Sequence, residues 1–275
     1  MAGRTENDEA VVEELDEVWA SVIDACRGLG DEQWARPSDC PGWSVKDTLS
    51  HLVGVERTLL GDPSPGPLEA VPAHVRNAFG ELNEAWVEAR RVVPGQDVLA
   101  EFVETTDRRL AELRALPPDA FDQIGPSPTG PVPYREFMDT RVMDSWAHEQ
   151  DIRRALDRPG GRNGAGERVS LSRCTTAMPY VIGKKVAPPD GTTVRFAVTG
   201  VLGSQLTLAV IGGRATVLDE PPAEPTATLT MDQESFWRVG FGRVEPLTLL
   251  ASGAVVVTGD ESLGRAVLAA MPFMI

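Results

Sequence analysis

The sequence predicts an α+β chain in two parts: an N-terminal helical bundle, all-α, then a smaller α+β domain with a mainly antiparallel sheet. Three observations predict it. Apolar residues recur at helical spacing as far as Leu156, then alternate at period two from Val194 onward. Charge changes in the same region. Up to Arg158 there are 16 basic and 31 acidic residues; from Pro159 onward there are 10 and 10, which together make the chain totals of 26 and 41. Between the two parts lies RPGGRNGAGER, with four glycines and no large apolar residue. These place the domains at 1–158 and 159–275.

The elements follow in order. Val11, Leu15, Val18, Trp19, Val22, Ile23 and Cys26 make one face of a first helix, which Gly28 and Gly30 end. The turn-forming run RPSDCPGW follows. Ser44 and Asp47 form a capping box for a second helix, which runs to about Leu60. A third helix is expected over 68–92 and a fourth over 98–116. A loop with Pro126, Pro128, Pro131 and Pro133 precedes a fifth, Tyr134 to Leu156. Long amphipathic helices joined by short polar loops imply a bundle. In the second part a helix is expected over 171–186. Strands are centred on Phe196, Leu208, Ala215 to Val217, Leu229 to Met231, and Val255 to Val257. Asp232 caps a short helix, and a last one spans 262–271.

Composition excludes several classes. With 42% hydrophobic and 24% charged residues, the chain is an ordinary globular one. A net charge of −15 argues against nucleic acid, which is bound by neutralising phosphates, and against anionic membranes. The longest uncharged run, Phe196 to Gly213, is broken by Gly200, Gly203, Ser204 and Gln205, so no membrane span is expected. MAGRTENDEA has no apolar stretch, so no signal peptide is expected there. Three scattered cysteines fit a reducing, cytoplasmic setting. No GxxxxGK[ST], helix-opening GxGxxG or GxSxG occurs, so phosphate-cradling and nucleophile-elbow chemistry are unsupported.

Three histidines occur, and two are placed for chemistry. His51 falls at the border of the apolar arc of the second helix. Asp144 and His148 are four apart on the fifth helix and stack on one face, with Asp151 three residues further on the same side. A carboxylate and an imidazole converging from one helix, completed by a histidine from another, give three metal ligands and an open position. The same pair also reads as a simple hydrogen-bonded or ionic contact. Asp151 reads either as an orienting partner of a ligand histidine or as a salt-bridge partner of Arg141 or Arg154. Glu56, near the middle of the apolar arc, needs a buried arginine from the first or fifth helix. Cys40 reads as a small buried hydrophobe in a turn fixed by Pro41 and Gly42, with no histidine adjacent in sequence. Trp43 is expected to pack on the start of the second helix, and His74 to be solvated.

Two long segments carry a resemblance. WARPSDCPGWSVKDTLSHLVGVE and RVMDSWAHEQDIRRALDRPG resemble the second-helix and later metal-binding-helix motifs of the mycothiol-dependent maleylpyruvate isomerase family. FWRVGFGRVEPLTLLASGAVVVTGDESLGRAVLAAM resembles the sterol-carrier-like C-terminal domain that many members carry. The resemblance implies a DinB-like four-helix bundle that binds zinc or another divalent metal through His51, Asp144 and His148. The family isomerase has Glu where this chain has Asp144, a side chain shorter by one methylene.

The resemblance also implies mycothiol, the thiol of actinobacteria, as cosubstrate. The activity expected is that of an S-transferase or a cis–trans isomerase acting on a small-molecule electrophile. The chain is then a monomer or homodimer. Asp151 and Arg243 are the expected catalytic residues. Arg238, Arg243 and Trp146 are the expected cofactor-binding residues, the arginines for a carboxylate of mycothiol or substrate and Trp146 as core or pocket wall. A non-catalytic small-molecule-binding protein on the same fold is the alternative.

Overall fold

The computed structural model describes residues 6–127 and 130–274. Met1–Thr5 and Pro128 of the sequence reading lie outside them. The described residues are α+β and divide into two units, Met1–Glu167 and Arg168–Ile275.

The first unit is helical. Its elements are α1 (Glu6–Cys26), the single turn α2 (Asp31–Trp34), α3 (Val45–Leu59), α4 (Ala78–Glu88), α5 (Gly95–Ala115) and α6 (Tyr134–Ala155). A two-residue hairpin, β1 (Ile124–Gly125) with β2 (Val132–Pro133), leads into α6. The long helices close a ring: α1 packs on α6, α6 on α3, α3 on α5, and α5 on α1. The apolar face of α1, including Leu15, Trp19 and Val22, is buried. Leu49 and Leu52 of α3, Phe102 of α5 and Val142 of α6 are buried as well. Ser44 caps α3 as its sequence predicts: its hydroxyl accepts from the Asp47 amide at 3.2 Å, and its own amide donates to Asp47 Oδ2 at 2.9 Å.

One helix is shorter than its sequence suggests. The apolar spacing predicts a helix over 68–92, yet α4 begins at Ala78. Pro72 has no amide proton to donate, and Asn77 caps the helix by accepting from the Gly80 amide at 2.9 Å. Val71 is left exposed.

The glycine-rich segment is pinned to α6. Trp146 Nε1 donates to Gly161 O at 2.7 Å, and Gln150 Nε2 to Gly160 O at 3.2 Å. A Cβ at Gly161 would stand 2.1 Å from Glu149 Oε1, and Gly161 has φ of 64°. Glycine is there for close approach of the backbone.

The second unit continues α7 (Ala165–Tyr180), which passes Pro179 into a π-helical turn over 181–186. Strands β3 (Thr193–Thr199), β4 (Ser204–Ile211), β5 (Arg214–Val217), β6 (Ala227–Asp232) and β7 (Val255–Gly259) form one sheet in the order β5-β4-β3-β6-β7. The β3–β6 pair is parallel and the other three are antiparallel. Val194, Phe196 and Val198 alternate into the core, the period-two pattern expected of a half-buried strand. The unit also holds α8 (Gln233–Gly240), α9 (Pro246–Ser252) and α10 (Glu261–Ala270). Asp232 caps α8, accepting from the Ser235 amide at 2.7 Å. No helix among the described residues is long and apolar enough to cross a membrane.

Candidate metal centre

The contact of α3 with α6 brings the three residues of the sequence reading together. His51 comes from α3; Asp144 and His148 are one turn apart on α6. One donor atom from each lies within 4.8 Å of the other two. His51 Nε2 is 3.4 Å from Asp144 Oδ2, and His148 Nε2 is 3.6 Å from Asp144 Oδ1. The imidazoles meet edge to face, with centroids 4.7 Å apart. Both histidines are buried.

His51 carries the test of fit. Neither of its buried ring nitrogens makes a hydrogen bond. Burial pushes its pKa below the ordinary histidine value; Asp144 opposes this, while His148 and Arg141 add to it. A buried imidazole that meets its nearest carboxylate, Asp144 at 3.4 Å, without hydrogen-bond geometry is under-satisfied, at a cost of about 1–3 kcal/mol, and the neutral form is the one that ligates a metal. The donor set of two imidazoles and one carboxylate suits zinc.

Asp144 is held as an anion. Burial alone would raise its pKa, but the charges of Arg141 and His148 and the nearness of His51 hold it well below the usual carboxylate range. Arg141 Nη1 donates to Asp144 Oδ2 at 2.8 Å. Arg141 is itself gripped by the buried Glu56, Nε to Oε1 at 2.8 Å. Arg109 of α5 also reaches Glu56, Nε to Oε2 at 3.3 Å, and donates to the Tyr134 hydroxyl. The expected buried partner of Glu56 is therefore double: one arginine from α6 and one from α5.

Asp151 is fully buried and sits behind His148. Its Oδ2 is 2.9 Å from His148 Nδ1. A carboxylate there accepts the hydrogen bond of Nδ1–H and leaves the Nε2 lone pair facing Asp144 and His51. The structure thus brings Asp151 to the centre in the orienting position.

Two neighbours escape a sequence reading. The Trp43 ring lies 5.1 Å from the His51 ring and 6.1 Å from that of His148, centroid to centroid. Its indole donates to Glu84 Oε2 at 2.8 Å, which also meets His74 Nε2 at 3.0 Å. His74, expected in solvent, is paired with a buried acid. Cys40, expected to be only a small hydrophobe, places Sγ 3.2 Å from Asp151 Oδ2 and 3.8 Å from His148 Nδ1. Both residues reach the site through a turn whose course no periodicity reveals.

Trp146 takes the first of its two expected places, core rather than pocket wall. Its indole lies in the core against the Gly160–Gly166 segment and is fully buried. It is two residues from Asp144 and from His148, about 200° around the helix from each. It is a core residue, not a wall of the site. Arg238 and Arg243 lie together at the end of α8 in the second unit, both half-buried. Arg238 Nη2 approaches Arg243 O at 3.5 Å, and Arg243 Nη1 donates to Phe241 O at 2.9 Å.

Comparison with known proteins agrees with these elements. The family model described as "Mycothiol maleylpyruvate isomerase N-terminal domain" matches residues 15–153, and that of the "SCP-2 sterol transfer family" matches 182–271. An uncharacterized protein of Mycobacterium tuberculosis, found in two strains, is 29% identical over 131 residues, 46% of this chain and 49% of the relative. The match thus spans about half the length of these curated relatives. A crystal structure of a mutant mycothiol-dependent maleylpyruvate isomerase aligns with TM-score 0.57 at 13% identity, covering 91% of this chain and 92% of that one. A second crystal structure of the mycothiol-dependent maleylpyruvate isomerase gives 0.54 with the same identity and coverage. At that identity the likeness speaks for the fold.

Proposed function

The chain belongs to the mycothiol maleylpyruvate isomerase N-terminal domain family, and from that premise we propose a metal-dependent enzyme that joins the thiolate of mycothiol to an electrophilic small molecule. The adduct is either released, as in an S-transferase, or broken down again after bond rotation, as in a cis–trans isomerase. The observation that carries the proposal is the convergence of His51, Asp144 and His148, with His51 left unbonded in the bundle interior.

The ligands would be His51 Nε2, His148 Nε2 and an Asp144 oxygen. A divalent ion held there lowers the pKa of a coordinated thiol and so supplies a nucleophile at neutral pH. The rest of the work falls to the chain. Asp151 keeps the proton of His148 on Nδ1. Arg141, fixed by Glu56, holds Asp144 ionised and oriented. Trp43 covers the two imidazoles and shields them from water on its side. In the second unit, Arg238 and Arg243 are proposed to bind a carboxylate of mycothiol or of the electrophile.

The test is metal content together with turnover. Purified protein is expected to hold about one divalent ion per chain, and His51→Ala and His148→Ala to lose it. Loaded protein with mycothiol and a panel of electrophiles is expected to give thiol adducts or isomerised products by mass spectrometry. An intact site that takes up no zinc, cobalt or manganese would sink the metal reading. Metal binding with turnover by another thiol, but not mycothiol, would sink the cosubstrate.

A further inference from the structure

Cys40, Asp151 and His148 form a closed triangle behind the proposed metal ligands. Asp151 Oδ2 accepts from His148 Nδ1 at 2.9 Å and from Cys40 Sγ at 3.2 Å, while Sγ and Nδ1 are 3.8 Å apart. All three side chains are buried. The thiol is therefore spent on the one carboxylate oxygen that also fixes the histidine.

We infer that Cys40 is a positioning residue, whose thiol steers the Asp151 carboxylate and through it the tautomer and orientation of His148. The inference rests on the metal reading above for its consequence, but not for its geometry. A carboxylate can rotate. A second donor on the same oxygen holds Oδ2 toward Nδ1. A thiol is a weak donor. It restrains the oxygen while leaving most of its basicity to the imidazole.

The turn carrying Cys40 is built to hold that sulfur still. Ser38 N and Ser38 Oγ both donate to Trp43 O, at 2.9 and 3.0 Å. The Cys40 amide donates to Ser38 Oγ at 3.2 Å, and the Trp43 amide to Cys40 O at 3.1 Å. Gly42 has φ of 81°, the left-handed region that suits glycine. The turn is also keyed to α3: Thr48 Oγ1, one turn before His51, donates to Ser38 Oγ at 3.1 Å. One short segment thus spans the two helices that carry the ligands. It touches α3 through Thr48 and α6 through Asp151.

The test compares Cys40→Ala, Cys40→Ser and Asp151→Asn with the unmutated chain, by two readouts that need no turnover. The first is the tautomer of His148 in metal-free protein, read from ring-nitrogen NMR shifts. The unmutated chain is expected to show one tautomer, with the proton on Nδ1. Cys40→Ala and Asp151→Asn are expected to show a mixture, and Cys40→Ser to restore the single form. The second is cobalt affinity by chelator competition. Asp151→Asn is expected to lose about 10–100-fold, and Cys40→Ala, one bond further out, about tenfold.

If Cys40 only fills space, Cys40→Ala will lower thermal stability and leave the tautomer and the cobalt affinity unchanged, and the inference falls. A sulfur-to-cobalt charge-transfer band in the unmutated chain would make Cys40 a ligand and overturn it as well. If cobalt does not bind but the tautomer responds as expected, the inference about His148 stands and the metal reading is what fails.

Discussion

Glu56→Gln removes one charge from the middle of the bundle and leaves its shape. Glu56 is fully buried, and its oxygens serve Arg141 at 2.8 and 2.7 Å and Arg109 at 3.3 Å. Both arginines are buried as well. Removing one partner of a buried pair costs about 3–5 kcal/mol, because the other charge stays behind in a medium that solvates it poorly. Glutamine keeps one acceptor oxygen, which places the expected loss near 3 kcal/mol. At roughly 2–4 °C per kcal/mol for a unit of this size, the melting temperature should fall by about 6–12 °C.

Glu101→Gln is the control. Glu101 also serves two arginines, Arg57 and Arg90, but its side chain is 27% exposed. Water can take over much of its role, and a loss of about 1 kcal/mol or less is expected. The assay is guanidinium denaturation followed by circular dichroism, with both variants side by side. A loss below about 1 kcal/mol for Glu56→Gln, or one equal to that of Glu101→Gln, would refute the reasoning. A second consequence follows at the centre. Without the Glu56 charge, Asp144 is the one carboxylate left beside Arg141 among the described residues, so cobalt affinity should fall as well.

Gly42→Ala should destabilise by about 1–3 kcal/mol, since the backbone is left-handed there and the added Cβ would stand 2.6 Å from His74 Nδ1. An unchanged denaturation midpoint would count against that contact. Glu84 gives a pH prediction. Burial alone would raise its pKa, but His74, Trp43 and Arg91 outweigh that and lower it below the ordinary 4.5. A depressed carboxyl contributes stability above its unfolded value, and that contribution fades as pH falls below about 4.5 and through the folded value. The stability gap between the unmutated chain and Glu84→Gln should therefore be constant near neutrality and close in acid. A gap that widens on acidification would contradict it.

The convergence of His51, Asp144 and His148 is legible in the sequence because helices impose it. Asp144 and His148 are one turn apart, and His51 sits at the border of an apolar arc; both follow from a period of 3.6. What surrounds the ligands was not legible. Cys40 and Trp43 arrive through a turn held by Ser38, Gly42 and Thr48, a set of local bonds with no repeat to read. Arg109 reaches Glu56 from α5, a pairing that needs the order of helices around the ring. Leu68, Val71 and Val75 mimic helical spacing ahead of α4, while Pro72 and the Asn77 cap decide where that helix begins. Trp146 shows the same limit, since the sequence leaves core and pocket wall both open. Closeness in sequence to two ligands is not closeness in space when the helix has turned by about 200°.

Charge makes the last link between the interior and the proposed chemistry. The chain carries −15, yet the acids around the centre are few, and arginines offset most of their charge. Glu56, Asp144 and Asp151 supply three negative charges, and Arg109 and Arg141 two positive ones. With both imidazoles neutral as ligands, the set holds one net negative charge. A divalent cation would turn that into one net positive charge. In a poorly solvating interior such an excess favours an anionic group on the open side, and a neutral one serves less well. A thiolate carries the single charge required. A second carboxylate ligand would have removed this demand, and Arg141 on Asp144 Oδ2 strengthens it. Arg141→Met should therefore weaken the preference for thiolate over neutral ligands at the loaded centre, read as the ratio of thiol to imidazole affinity by cobalt spectroscopy. An unchanged ratio would mean that the guanidinium only positions Asp144 and does not set the charge of the site.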